Sequence, residues 1–252
     1  MVALDRQLVS SSGRVARWSW ALAGLAVVVQ TTAHLVNELT LGGRYPQLSA
    51  AVDSNAFGRA NTLAIALSAL LTAVGAFSRR GVDPRRIVLS ASLAFLAVDD
   101  AMGLHDRMRA LAGPREAAAA VGFAGVLALV FVLLSAESRR MRLSARRLMI
   151  VGLLALAAGV ALRAVGLYVT VAQWFGDTIM AAGVAVQQGL GLGGWILVAA
   201  GLLAALVERA QPSSPPPHWP ALTATLDGKA ASASITAPTF PDGAAKRSRR
   251  SR

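Results

Sequence analysis

The chain reads as an all-α, polytopic transmembrane bundle of six helices with both termini in the cytoplasm. Three observations carry that expectation. Hydrophobic residues make up 55% of the 252 residues and charged residues 15%, with a mean hydropathy of +0.54. An average soluble chain carries about 25% charged residues. The apolar residues also gather in six runs near the ~20-residue length that spans a bilayer core. Finally, the basic residues gather between alternate runs, the asymmetry that keeps basic loops inside the cell.

Residues 1–17 form a polar N-terminal segment on the cytoplasmic side, with Arg6, Arg14 and Arg17 against Asp5. Trp18 and Trp20 open the first apolar helix, which runs through Leu39; tryptophans there suit a membrane interface. The run is long for a signal-peptide core, and Thr31-Thr32-Ala33 is a poor cleavage site, so an uncleaved helix is expected. Gly42, Gly43 and Pro46 mark a surface loop from Thr40 to Arg59. A second helix follows to Phe77, and Ser78 to Arg86 is a tight basic turn. The third helix runs from Ile87 to about Leu104, and Gly113-Pro114 breaks the chain before a fourth from Glu116 to Ser135. A basic loop, Arg139 to Arg147, precedes the fifth helix, Leu148 to about Val171, and a sixth covers Met180 to Val207. The transmembrane domain is thus residues 18–208. Residues 209–252, rich in Pro, Ser, Thr and Ala, lack the apolar content to fold and read as a disordered basic tail.

The net charge of +12 does not call for nucleic acid, because most Arg residues lie between apolar runs where orientation in a membrane explains them. One set of loops holds Arg79, Arg80, Arg85 and Arg86, then Arg139, Arg140, Arg142, Arg146 and Arg147. The other set holds Arg44 and Arg59, then Arg107, Arg109 and Arg115 diluted by acids, then none between Val169 and Ile179. The expected location is therefore a bacterial inner (plasma) membrane, with the lipid bilayer as the surrounding partner. The absence of cysteine removes disulfides, thiolate ligands and Cys nucleophiles.

This orientation sets the depth of the polar residues. His34, Glu38, the stretch Asp99 to Asp106, and Arg163 fall in the outer half of the membrane, together with Asn61 and Gln187-Gln188. The inner half is expected to be almost wholly apolar. Intramembrane ionisable residues are expensive and tend to be functional. His34 and Glu38, at i and i+4, share a helix face. Asp99 and Asp106 share another, with His105 turned about 100° away. Two imidazoles and several carboxylates suit a divalent metal, Zn, Mn or Fe, with His34, Glu38 and His105 as ligands. The adjacent acids Asp99 and Asp100 are the candidates for proton transfer. Asp106, Arg163, Gln187 and Asn61 complete the polar cluster, with Arg163 expected to pair with an acid and Gln187 and Gln188 to bond between helices. The competing reading is a network of hydrogen bonds and ion pairs that fixes helix register.

The run Gly189-Leu190-Gly191-Leu192-Gly193-Gly194 looks like a phosphate loop, but no strand precedes it and it sits inside an apolar span. Close helix packing is the expectation, as for Ala155 and Gly159. No G-x-S-x-G or H-E-x-x-H motif occurs.

The acid pair Asp99-Asp100 followed by His105-Asp106 at a helix end resembles a motif of uncharacterised bacterial polytopic membrane proteins, which often read Asp-Glu then His-Glu. The resemblance covers one helix and implies no activity. Glu38, Asp99 or Asp100, and His105 are also similar to part of the site of ceramidase-like transmembrane hydrolases, which combine a Glu, a Ser, an Asp and three His around zinc. The C-terminal His-x-x-x-His pair of that family is absent here.

The functional expectation is an integral membrane protein with an outer-leaflet His/carboxylate cluster, acting as a metal-dependent hydrolase or transferase on a lipid-like substrate. The alternatives are a non-catalytic scaffold or assembly protein and a small proton-coupled transporter. An apolar inner half speaks against the transporter.

Overall fold

A computed structural model of the chain describes residues 2–49, 55–78, 81–104, 116–165 and 177–210. Among the described residues six α-helices make the bundle: α1 Val2–Leu39, α2 Ala56–Ala76, α3 Pro84–Met102, α4 Glu116–Ser138, α5 Leu143–Val165 and α6 Asp177–Ala210. Five of them are long and apolar enough to cross a membrane; α3 is the exception. Its apolar centre, Ile87 to Val98, is bracketed by Arg85 and Arg86 at one end and Asp99 and Asp100 at the other. Twelve residues rise only about 18 Å, short of a ~30 Å hydrocarbon core. Both charged ends of α3 must therefore meet polar surroundings within the bundle.

The helix boundaries follow local chemistry. Asn55 caps the start of α2 by accepting the Gly58 N–H, and Asp83 caps α3 by accepting the Arg85 N–H at 3.0 Å, with Pro84 in the first turn. Gly103 ends α3 in the left-handed region (φ 58°), its N–H returning to the Asp99 carbonyl. A minimal antiparallel pairing, Phe77 with Val82 and Ser78 with Gly81, joins α2 to α3. The helix α1 begins at Val2, so the segment 2–17 is continuous with the first span. No proline occurs before Pro46, and helix propensity carries through.

The central helix is α6: 67% of its spanning window is buried, against 17–39% for the other four spans. It packs against α1, α2 and α5, while α4 rests on α3 and α5. Glycines allow the close approach. A Cβ at Gly194 would lie 2.7 Å from Leu156 Cγ on α5, and one at Gly193 would lie 2.8 Å from Val27 Cγ2 on α1. The Gly-rich run is thus helical and serves packing, as expected for small residues between membrane helices. Outside, Leu22, Leu25 and Val28 of α1, Leu63 and Leu70 of α2, and Val121 and Val132 of α4 are exposed. An apolar exterior of this extent is what a bilayer solvates.

Candidate functional site

A cavity of about 210 Å³ opens where the C-terminal halves of α3 and α5 meet the N-terminal halves of α2 and α6, with the middle of α4 as its outer wall. Its lining is graded. Near the helix ends it is polar, with Asn61, Asp100, Arg163, Gln187 and Gln188. Deeper in the bundle it is apolar, with Leu127, Phe131, Leu156 and Trp195. From Gln187 to Trp195 the cavity follows α6 for about 12 Å.

Asp100 is held by two donors from α2. Thr62 Oγ1 donates to its Oδ2 at 2.5 Å and Asn61 Nδ2 donates to the same oxygen at 3.3 Å. The Gly103 cap stops α3 immediately afterwards and so fixes the carboxylate at the lip. Asn61 Oδ1 is buried with no hydrogen-bond partner among the described residues. Arg163 lies in the last turn of α5, where a cation is favoured by the helix dipole. No ion pair joins it to Asp100, although both line the same space.

Four residues picked from the sequence as one polar cluster, Asp100, Asn61, Arg163 and Gln187, do line this cavity, and Gln188 joins them. Asp99 does not. It is 2% exposed and sits about 100° around α3 from Asp100. His105 and Asp106 lie outside the described residues.

His34 and Glu38 do not line this cavity. His34 is buried and meets the backbone of Ala181. Its Nδ1 is 3.9 Å from Glu38 Oε1. Glu38 organises the turn that follows α1. Its Oε1 accepts from Ser49 Oγ at 2.8 Å and from Asn37 Nδ2 at 3.2 Å, while Asn37 Oδ1 accepts the Tyr45 N–H at 3.0 Å. Asn55 Nδ2 then donates to the Ser49 carbonyl at 2.7 Å, linking the turn to the cap of α2. The proposed ligands His34 and Glu38 are therefore brought together, but not with Asp100. Among the described residues, no group of three or more His, Asp or Glu side chains could hold a metal ion. Gln30 and Asn37, buried on α1 beside His34, escaped the sequence reading. Their i, i+4, i+7 spacing with His34 was the available signal.

The opposite end of the bundle corrects one expectation. It is not almost wholly apolar. Glu137 of α4, with an 8% exposed side chain, accepts from Arg86 Nη2 of α3 and from Arg209 Nη2 of α6 at 2.9 Å. Arg86 Nη1 donates to the Gly75 carbonyl at the end of α2. Asp83 adds a contact to Arg140 at 3.5 Å, and Ser144 donates to Glu208 at 2.8 Å. Four helix ends are joined through one carboxylate and two guanidiniums. A lone acid between the apolar run of α4 and the arginines of its loop was the signal for it.

Comparison with family models, with curated proteins and with solved structures finds no match to this chain.

Proposed function

We propose that this is an integral membrane protein that takes a lipid-like amphiphile into the cavity under α4, with the polar part of the ligand among Asn61, Asp100, Arg163 and Gln187 and its apolar part against Phe131 and Trp195. The observation that supports this reading most directly is the gradient of the cavity lining, polar near the helix ends and apolar toward the centre of the bundle. Such sites, mostly apolar with a few placed polar groups, suit small ligands between helices. Binding is the core of the reading. For hydrolysis or transfer on such a ligand, the cavity offers Asp100 as a proton acceptor and Arg163 as a cation facing a developing anion. Neither role draws on His34 or Glu38. Orientation with both termini in the cytoplasm places the cavity toward the outer leaflet.

Gly191 gives the test. It lines the cavity, and a Cβ there would meet nothing within 4 Å. Gly191→Leu should fill the space without displacing a neighbour. Native mass spectrometry of the full chain, released from membranes in mild detergent, should show one retained amphiphile on the wild type and none on Gly191→Leu. Equal retention by both proteins would overturn the reading.

A further inference from the structure

The polar end of the cavity is chemically divided. One side carries the Asp100 carboxylate, held by Asn61 Nδ2 and Thr62 Oγ1. The other side carries the guanidinium of Arg163. The two charges line one space of about 210 Å³ and do not pair. Asp100 is tied back to α2 by Thr62 and Asn61, and Arg163 belongs to α5, so the cavity itself lies between them. Two opposite charges that line one space without touching each favour an opposite partner placed between them. A ligand with a single negative charge would answer Arg163 and leave Asp100 facing it uncompensated; a single cation would do the reverse.

We infer that the ligand is a zwitterion with a primary ammonium and an anionic group a few bonds apart, the chemistry of a phosphoethanolamine headgroup. This inference rests on the amphiphile reading above and names the ligand class of that same site. The ammonium carries three N–H donors. It donates to the carboxylate of Asp100, whereas a quaternary ammonium carries no N–H and cannot do so. The anionic group meets Arg163, whose planar fork matches phosphate. Gln187 and Gln188 supply amide donors and acceptors between the two ends. The same zwitterion occurs at the head of a phospholipid and as the free soluble compound.

The experiment is a native mass spectrometry titration of the full chain in detergent with phosphatidylethanolamine, phosphatidylcholine and phosphatidylglycerol of identical acyl chains. Free phosphoethanolamine is run as a competitor. Phosphatidylethanolamine should bind at least about tenfold more tightly than either of the others, a difference of about 1.4 kcal/mol. Asp100→Asn and Arg163→Gln should each abolish that preference, and Arg163→Lys should restore part of it. Should either variant fail to fold, the three-lipid comparison on the wild type still decides. Displacement by free phosphoethanolamine at the same concentration as by a short-chain lipid would support the inference with a soluble source for the ligand. Displacement only by the lipid would support it with a membrane source. Phosphatidylglycerol binding as tightly as phosphatidylethanolamine, indifferent to Asp100→Asn, would overturn the zwitterion while leaving the amphiphile reading intact. No lipid on the wild type would overturn both.

Discussion

Gly191 and Gly194 are one helical turn apart on α6, yet alanine should have opposite effects at the two positions. In both cases Gly→Ala gains helix propensity of about 0.8–1.0 kcal/mol. At Gly191 the new methyl enters open space, so that gain stands alone and the protein is stabilised by about 1 kcal/mol. At Gly194 the methyl would lie 2.7 Å from Leu156 Cγ and 3.0 Å from the Gly152 carbonyl oxygen. Carbon atoms settle about 3.5–4.0 Å apart, so α5 and α6 must separate by about 0.8 Å or Leu156 must leave its rotamer. The carbonyl can yield only with the backbone of α5. Overpacking of this kind costs about 1–3 kcal/mol. Because the propensity gain is common to both variants, the difference between them isolates the packing cost, about 1–3 kcal/mol in favour of Gly191→Ala. Reversible unfolding by SDS in mixed micelles, followed by circular dichroism, measures it. Equal stabilities, or a Gly194→Ala protein more stable than Gly191→Ala, would refute the close α5–α6 approach. Gly152→Ala provides the reciprocal check, since its methyl meets Gly194 O at 2.8 Å and Val198 N at 3.0 Å, both backbone atoms.

At the other end of the bundle, Glu137→Gln leaves Arg86, 12% exposed, with only the more exposed Asp83 at 3.8 Å, and should destabilise by up to about 3 kcal/mol in the same unfolding assay. Arg209→Gln should cost below about 1 kcal/mol, because that side chain is 39% exposed and water screens its pair with Glu137; equal losses in the two variants would sink the assignment of Glu137 as the buried bridge. In the turn after α1, Asn37→Ala removes the acceptor of the Tyr45 N–H and should cost about 1 kcal/mol locally, read as several-fold faster amide exchange at Tyr45. Unchanged exchange there would mean the turn is held by other contacts. Asn55→Ala removes both the α2 cap and the bond to the Ser49 carbonyl, and should lower stability by about 1–2 kcal/mol; a thermal midpoint in detergent equal to wild type would argue against the cap.

Much of the architecture was legible because membrane helices announce themselves by length and composition. Among the described residues six helices appear at the six apolar runs; apart from the start of α1 their described ends differ by a few residues, and the expected end of the fifth near Val171 lies outside the described residues. The largest shift, at the start of α1, arises because polarity does not break a helix: Arg, Gln and Leu are good helix formers, and water or headgroups can solvate a helix as well as a loop. The short apolar centre of α3 is also visible in the sequence. What it meant became clear only with the cavity at one end and the Glu137 cluster at the other, since these two polar sites are what allow so short a span to sit in the bundle. The Glu137 cluster itself was hidden by the rule that oriented the chain. Counting Arg86 as one of several cytoplasmic charges treats it as solvated, and the count carries no information about which arginine turns inward.

The partition of the polar residues into two sites shows what depth alone leaves out. His34, Asp100, Arg163 and Gln187 share a level in the bundle, but sharing a level permits contact only when no helix stands between. Here α6 stands between, and its rotational phase can be worked out from small residues. At about 100° per residue, Gly189 and Gly193 lie within about 40° of each other, as do Gln187 and Gly191, or Gly191 and Trp195. The two stripes are about 200° apart, on nearly opposite faces. The first stripe meets Val27 and, at Gly189, Thr31 of α1; the second lines the cavity. Once a close α1 contact is assigned to Gly189 and Gly193, Gln187 cannot also face α1, and a single centre joining the α1 histidine to Gln187 is geometrically closed. The glycines that permit tight packing are therefore also the residues that decide which polar groups meet, and substituting them tests the packing and the site together.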